Sequence, residues 1–210
     1  MDVKITEIKE TKKHRYALFL DGEFSFSVDE ETLFEFHLHE NSCVSEEILE
    51  EIRHKSDYRY GREKALSLLS FKDYTKKELI KKLLSVCQEE TATLVAEKME
   101  ELSLINDESY AERYARDLFN IKKLSVSAIE RELYKKGLDS EIVSVAVSQF
   151  EDADTEKLLS EFILRKYERK LEDEKGIKSL TGILLRKGYS YGEIKSVISN
   201  LLENRDYYNY

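Results

Sequence analysis

Three short phrases carry most of the chemistry this sequence has to offer: KKELIKKLLS at 76–85, ERELYKKGLD at 130–139 and LTGILLRKGYS at 180–190. Each sets an apolar pair directly before a pair of cations, and in the last two a glycine follows the cations. Aligned on Lys81-Lys82, Lys135-Lys136 and Arg186-Lys187, the copies lie 54 and 51 residues apart. Lys76, Lys77, Lys81, Lys82, Arg131, Lys135, Lys136, Lys178, Arg186 and Lys187 would then place a basic surface at one spot of each repeat. Such a surface suits a polyanion or an acidic protein groove. A plainer reading makes the same cations solvated charges at helix ends, favoured there by the helix dipole.

Other chemistries have little support. There is no GxxxxGK[ST] loop to cradle phosphates, no GxGxxG after a strand and no GxSxG elbow. The four histidines, His14, His37, His39 and His54, all fall in the first quarter, so a nucleophile elsewhere has little choice of base. His37 and His39 could share one side of a strand as a metal half-site, but on a helix they point about 200° apart. Cys43 and Cys87 have no CxxC neighbour and read as reduced thiols. Neither enzyme chemistry nor a cofactor or metal is expected.

The elements that must hold the cations are helical. The capping boxes Thr75-Glu78, Ser127-Glu130 and Ser190-Glu193 punctuate the chain after about Ser45. Gly137 and Gly188 follow the cations as left-handed helix stops. Leu79, Leu133 and Leu184 take the inward position, and Tyr110 with Tyr114, one turn apart, read as packing residues rather than as stacking platforms for bases. The terminal run DYYNY is a further aromatic cluster.

Three copies of a three-helix unit follow, over 58–104, 105–152 and 153–210. A period above fifty residues separates this array from tetratricopeptide, ankyrin and HEAT repeats. The expected fold is mainly α: an elongated, curved array of three tandem three-helix repeats behind a small β-containing extension, residues 1–57.

In that extension RYALFLDGEFSFSVD reads as a hairpin turning at Asp21-Gly22, with Phe19 opposite Phe24 and Ala17 opposite Phe26. VKITEI supplies a third strand, and DEETLFEFHLHENS a short helix after its acids. The extension is also where the charge resides. Of the net charge of −9, residues 1–57 carry fifteen acids against seven bases, leaving the remainder at −1. With 37% charged residues and no long uncharged run, the chain is expected to be a cytoplasmic monomer with no membrane contact and no secretory leader.

LINDESYAERYARDLF, followed by ERELYKKG and later LLRKGYSYGEIKSVI, resembles the RecX family of bacterial recombination regulators. The resemblance runs through essentially the whole chain. It implies binding to the RecA recombinase filament on single-stranded DNA and inhibition of its ATP hydrolysis, strand exchange and co-protease activity. It also implies weak DNA contact and a role in homologous recombination and the SOS response. Two alternatives keep the fold and change the partner: a nucleic-acid-binding module acting without RecA, and a helical scaffold for another protein.

Overall fold

The computed structural model describes the backbone of residues 2–11 and 15–208, and side chains within those ranges as far as residue 203. His14 and the side chains of the terminal aromatic run lie outside the described residues. The chain is mainly helical with a small antiparallel sheet near the N-terminus, and it divides into two compact units, residues 1–106 and 107–210.

The first unit opens with β1 (Asp2–Glu10), β2 (Arg15–Leu20) and β3 (Glu23–Asp29), then α1 (Glu30–Glu35) and β4 (Cys43–Ser45). The sheet order is β3-β2-β1-β4, antiparallel throughout. Asp21 (φ 48°) and Gly22 (φ 93°) are both left-handed, the geometry that lets two residues reverse a twisted hairpin. Phe19 pairs with Phe24, but Phe26 lies opposite Leu18 and Ala17 opposite Ser27. The expected Ala17–Phe26 pairing is displaced because Ser25 is an extra residue, and such a bulge breaks strict alternation. Val28 is consequently buried while Phe24 stays 59% exposed, edge-on to Phe19.

Asp29 caps α1 through Thr32, as the acidic run predicts. Then α2 (Glu46–Leu69) runs unbroken for 24 residues from its Ser45 cap. The boundary expected at 57/58 therefore falls inside a helix. The helix does not break there; what changes along it is the set of residues it packs on. Leu49 and Ile52 pack on Ile5, Leu18 and Val28 of the sheet, whereas Ala65 packs with α3 (Lys76–Leu83) and α4 (Glu89–Glu101).

The second unit holds two further triplets. α5 (Asp107–Asn120), α6 (Val126–Lys135) and α7 (Ser140–Ser148) close around Ala111, Ala115, Ile129, Leu133 and Val143. α8 (Thr155–Tyr167), α9 (Glu174–Arg186) and α10 (Tyr191–Tyr208) close around Leu159, Ile163, Leu180, Leu184 and Ile194, with a short 3-10 turn at Glu168–Leu171. No described helix is long and apolar enough to cross a membrane.

Candidate functional site

The middle helices α3, α6 and α9 carry the cations, so their register decides what the cations share. Thr75 caps α3 in a full capping box, and Ser190 and Glu193 bond reciprocally at the start of α10. At α6 the cap is Ser125, whose Oγ accepts from the Ala128 amide; the expected Ser127 sits inside the first turn. The fully buried pairs on the inner faces of these helices are Leu79 and Leu83, Ile129 and Leu133, and Leu180 and Leu184. Each pair is spaced i,i+4, the spacing that keeps two side chains on one helix face.

This register corrects the alignment made on the doubled cations. Leu83, Leu133 and Leu184 are equivalent: each carbonyl accepts the amide three residues on, from Val86, Lys136 and Lys187 respectively. The offsets are thus 50 and 51 residues. Lys81 and Lys82 stand one turn ahead of the true counterparts of Lys135 and Lys136, which are Ser85 and Val86. Cys87, not Leu83, occupies the place of Gly137 and Gly188. Those two glycines are left-handed, at φ 82° and 92°, and end their helices with the amides of Leu138 and Tyr189 turned back to Leu133 and Leu184.

The corrected register reveals a pattern that the doubled cations obscure. The outward stripe at i, i+4 and i+8 reads Lys77, Lys81, Ser85 in the first repeat; Ser127, Arg131, Lys135 in the second; Lys178, Gly182, Arg186 in the third. Every stripe holds two cations and one small residue, and all six cations are exposed.

The remaining cations have other surroundings. Lys76 is half-buried and pairs with Glu100 at 2.8 Å. Lys82 is exposed but lies off the stripe. Lys136 lies over the Tyr114 ring at 5.5 Å, while Tyr114 and Tyr110 are 5.7 Å apart and pack on the second repeat's core. Lys187 points into its own unit: its ammonium donates to the Lys122 carbonyl and lies 5.2 Å from the Phe162 ring. Burial pushes that ammonium's pKa down, and the neighbouring charge of Lys166 acts in the same direction. Lys135, though on the stripe, also bonds Glu132 at 2.6 Å.

Around the Lys187 contact the second and third repeats are joined. The Ser125 amide donates to the Lys187 carbonyl (3.0 Å), and the Tyr189 hydroxyl donates to the Lys123 carbonyl (3.2 Å). These residues had no signal in the sequence as a junction, because their partners lie more than sixty residues away.

His37 (φ 49°) and His39 are exposed on a turn, with Nδ1 of His39 3.1 Å from the His37 carbonyl oxygen. Among the described residues, no group of three or more His, Cys, Asp or Glu is placed to hold a metal ion. Both cysteines are free thiols, and burial followed by the nearby Asp57 charge pushes Cys87 up, disfavouring the reactive thiolate.

A small N-terminal antiparallel sheet followed by three-helix units, each with an exposed cation pair on its middle helix, defines the class of this protein: a mainly helical repeat protein. The family model for the second three-helix domain of RecX matches residues 106–147, which takes in α5, α6 and all but the last residue of α7. That for the N-terminal domain of regulatory protein RecX matches residues 3–45. The chain is 31% identical to regulatory protein RecX of Clostridioides difficile (strain 630) over 208 residues, covering 97% of this chain and 98% of that relative. It is 30% identical to regulatory protein RecX of Streptococcus sanguinis (strain SK36) over 209 residues, covering 99% and 80%.

Among solved structures, a crystal structure of regulatory protein RecX matches with a TM-score of 0.59 and 26% identity, covering 93% of this chain and 98% of that one. The crystal structure of RecX from Lactobacillus salivarius matches with a TM-score of 0.55 and 31% identity, covering 69% and 96%. The chain belongs to the RecX family of regulatory proteins.

Proposed function

We propose that this protein binds the RecA recombinase filament on single-stranded DNA in the bacterial cytoplasm and inhibits its ATPase, strand-exchange and co-protease activities. It would thereby modulate homologous recombination and the SOS response, with no catalytic step of its own. The observation that carries the reading is the two-cation stripe, at the same place on the middle helix of all three repeats, in a chain aligned with RecX proteins along nearly its whole length. A filament repeats the same protein surface, so modules linked in one chain raise one another's effective concentration on it. Bare DNA attracts the chain more weakly, because residues 58–210 carry a net charge of only −1 and the extension repels a polyanion.

The test adds purified protein at substoichiometric amounts to RecA assembled on single-stranded DNA. ATP turnover is expected to slow. Turnover unchanged at micromolar excess of the protein would reject the reading. Salt-sensitive binding to bare single-stranded DNA, with RecA turnover unaffected, would instead establish the direct nucleic-acid alternative.

A further inference from the structure

Between the end of α5 and the outward side of α8 lies an open groove of about 380 Å³, wholly within the second unit. Its apolar lining comes from Ile121, Leu158 and Phe162, and its cations are Lys123, Arg165 and Lys166. Glu161 is the one acid among the lining residues. Among the described residues, no carboxylate lies within ion-pairing distance of the three cations.

Two observations separate this groove from an ordinary surface depression. Ile121 is 74% exposed, yet it sits in a short connection held in place from behind. Lys123 is left-handed at φ 53°, a costly conformation for a residue other than glycine. The carbonyls of Lys122 and Lys123 are held by the Lys187 ammonium and the Tyr189 hydroxyl. An aliphatic side chain is thus fixed facing water beside three cations.

The ring chemistry argues against a nucleic-acid ligand. Phe162 already has Lys187 over its face and the Tyr167 ring edge-on at 5.5 Å, so it offers no open platform for a base. The exposed apolar group is aliphatic and cannot stack. What the groove complements is an extended or helical peptide with carboxylates flanking an aliphatic side chain.

We propose that the α5–α8 groove receives a short acidic segment of the partner protein, anchored by one aliphatic side chain against Ile121 and Leu158. The proposal rests on the reading of this chain as a protein-binding regulator and specifies which surface takes which chemistry. It adds a contact distinct from the three cation stripes, since none of Lys123, Arg165 and Lys166 lies on a middle helix.

The experiment uses the full chain and an array of acidic peptides of about ten residues, each with a central Leu or Ile. A matched array has Ser at the centre, and oligothymidylate serves as a third probe. Wild-type protein is expected to bind some aliphatic members at least about tenfold tighter than their Ser counterparts, as burial of one such side chain allows. Ile121→Ser, and separately Arg165→Glu with Lys166→Glu, should each weaken those members at least about tenfold at unchanged helix content.

The proposal is overturned if no aliphatic member exceeds its Ser counterpart, or if both variants bind like wild type. It is equally overturned if oligothymidylate displaces the peptides at lower concentration than any peptide binds. Because the peptide panel contains no RecA, failure of filament inhibition with peptide binding intact would remove only the RecA reading.

Discussion

The backbone amide of Ser125, which caps α6, donates to the carbonyl of Lys187, the residue that caps the C-terminus of α9 just before its glycine stop, at 3.0 Å. The cap of one repeat therefore occupies the end of the next. A helix C-terminus leaves carbonyls without partners inside the helix, and here a neighbouring repeat supplies a donor. The same approach explains why position 188 must be glycine twice over. Its φ is +92°, and a Cβ there would stand 2.5 Å from Ser125 Oγ and 2.6 Å from Ala128 Cβ.

Gly188→Ala should consequently destabilise the second unit by about 2–4 kcal/mol, combining left-handed strain with overpacking. Gly22→Ala is the control. Gly22 has nearly the same φ, +93°, with nothing within 4 Å, so only the conformational cost of about 1 kcal/mol applies. Urea unfolding midpoints of the two variants measure the difference; equal losses would mean that the repeat junction contributes nothing.

Tyr189 is buried with its hydroxyl on the Lys123 carbonyl, and burial, then the Glu193 charge, pushes its pKa up to about 12. Its ordinary value is 10.0. A raised folded-state pKa for a phenol favours the neutral form in the native state. The associated stability is therefore complete below pH 10 and is lost as pH rises toward 12. NMR titration of ring-labelled tyrosine should show the Tyr189 resonance ionising well above the ordinary 10.0. Tyr189→Phe should abolish that resonance and cost about 1 kcal/mol through the lost hydrogen bond.

At the other end of the chain, Asp29 caps α1 and faces Arg59, 3.5 Å away. Burial alone would push the carboxyl up. The hydrogen bonds from Thr32 and Ser56 outweigh it, and the net pKa is below the ordinary 3.8. A depressed carboxylate contributes stability above pH 3.8 that disappears as pH falls through the folded-state value. Asp29→Asn retains a capping oxygen and should cost about 1 kcal/mol at neutral pH. Its deficit against wild type should shrink below pH 3.8, a trend that denaturant titrations at several pH values will show.

The cation stripes make a directional prediction about function. Arg131→Glu with Lys135→Glu reverses both charges of the second stripe and should weaken inhibition of RecA ATP turnover at least about tenfold, with helix content unchanged by circular dichroism. Lys82→Glu, exposed but off the stripe, should change inhibition less than threefold. If the single off-stripe change matched the double reversal, general electrostatics rather than the stripe would account for binding.

Local chemistry made much of this protein legible in its sequence. Asp21-Gly22 can turn a hairpin, the glycines after the paired cations can stop helices, and Leu79, Leu133 and Leu184 are apolar at helical spacing; each of these depends on residues within a turn or two. The family resemblance lay in contiguous phrases for the same reason. The register between repeats did not, because Lys81-Lys82 mimics Lys135-Lys136 while standing a turn earlier; both apolar residues of each pair are buried, and only the hydrogen bonds that end the helices show that Leu83, not Leu79, matches Leu133 and Leu184.

Nor could sequence spacing show that Ser25 bulges, that α2 carries two successive buried faces, or that Lys187 turns inward to a carbonyl 65 residues away. The amino-acid sequence by itself determined the helices, their stops, the composition of the exposed stripes and the family. Tertiary structure alone decided which cations face solvent and which serve the fold. It also decided that Ile121 and Arg165 line one groove, since a cation's role depends on the charges, rings and carbonyls that distant segments bring near it.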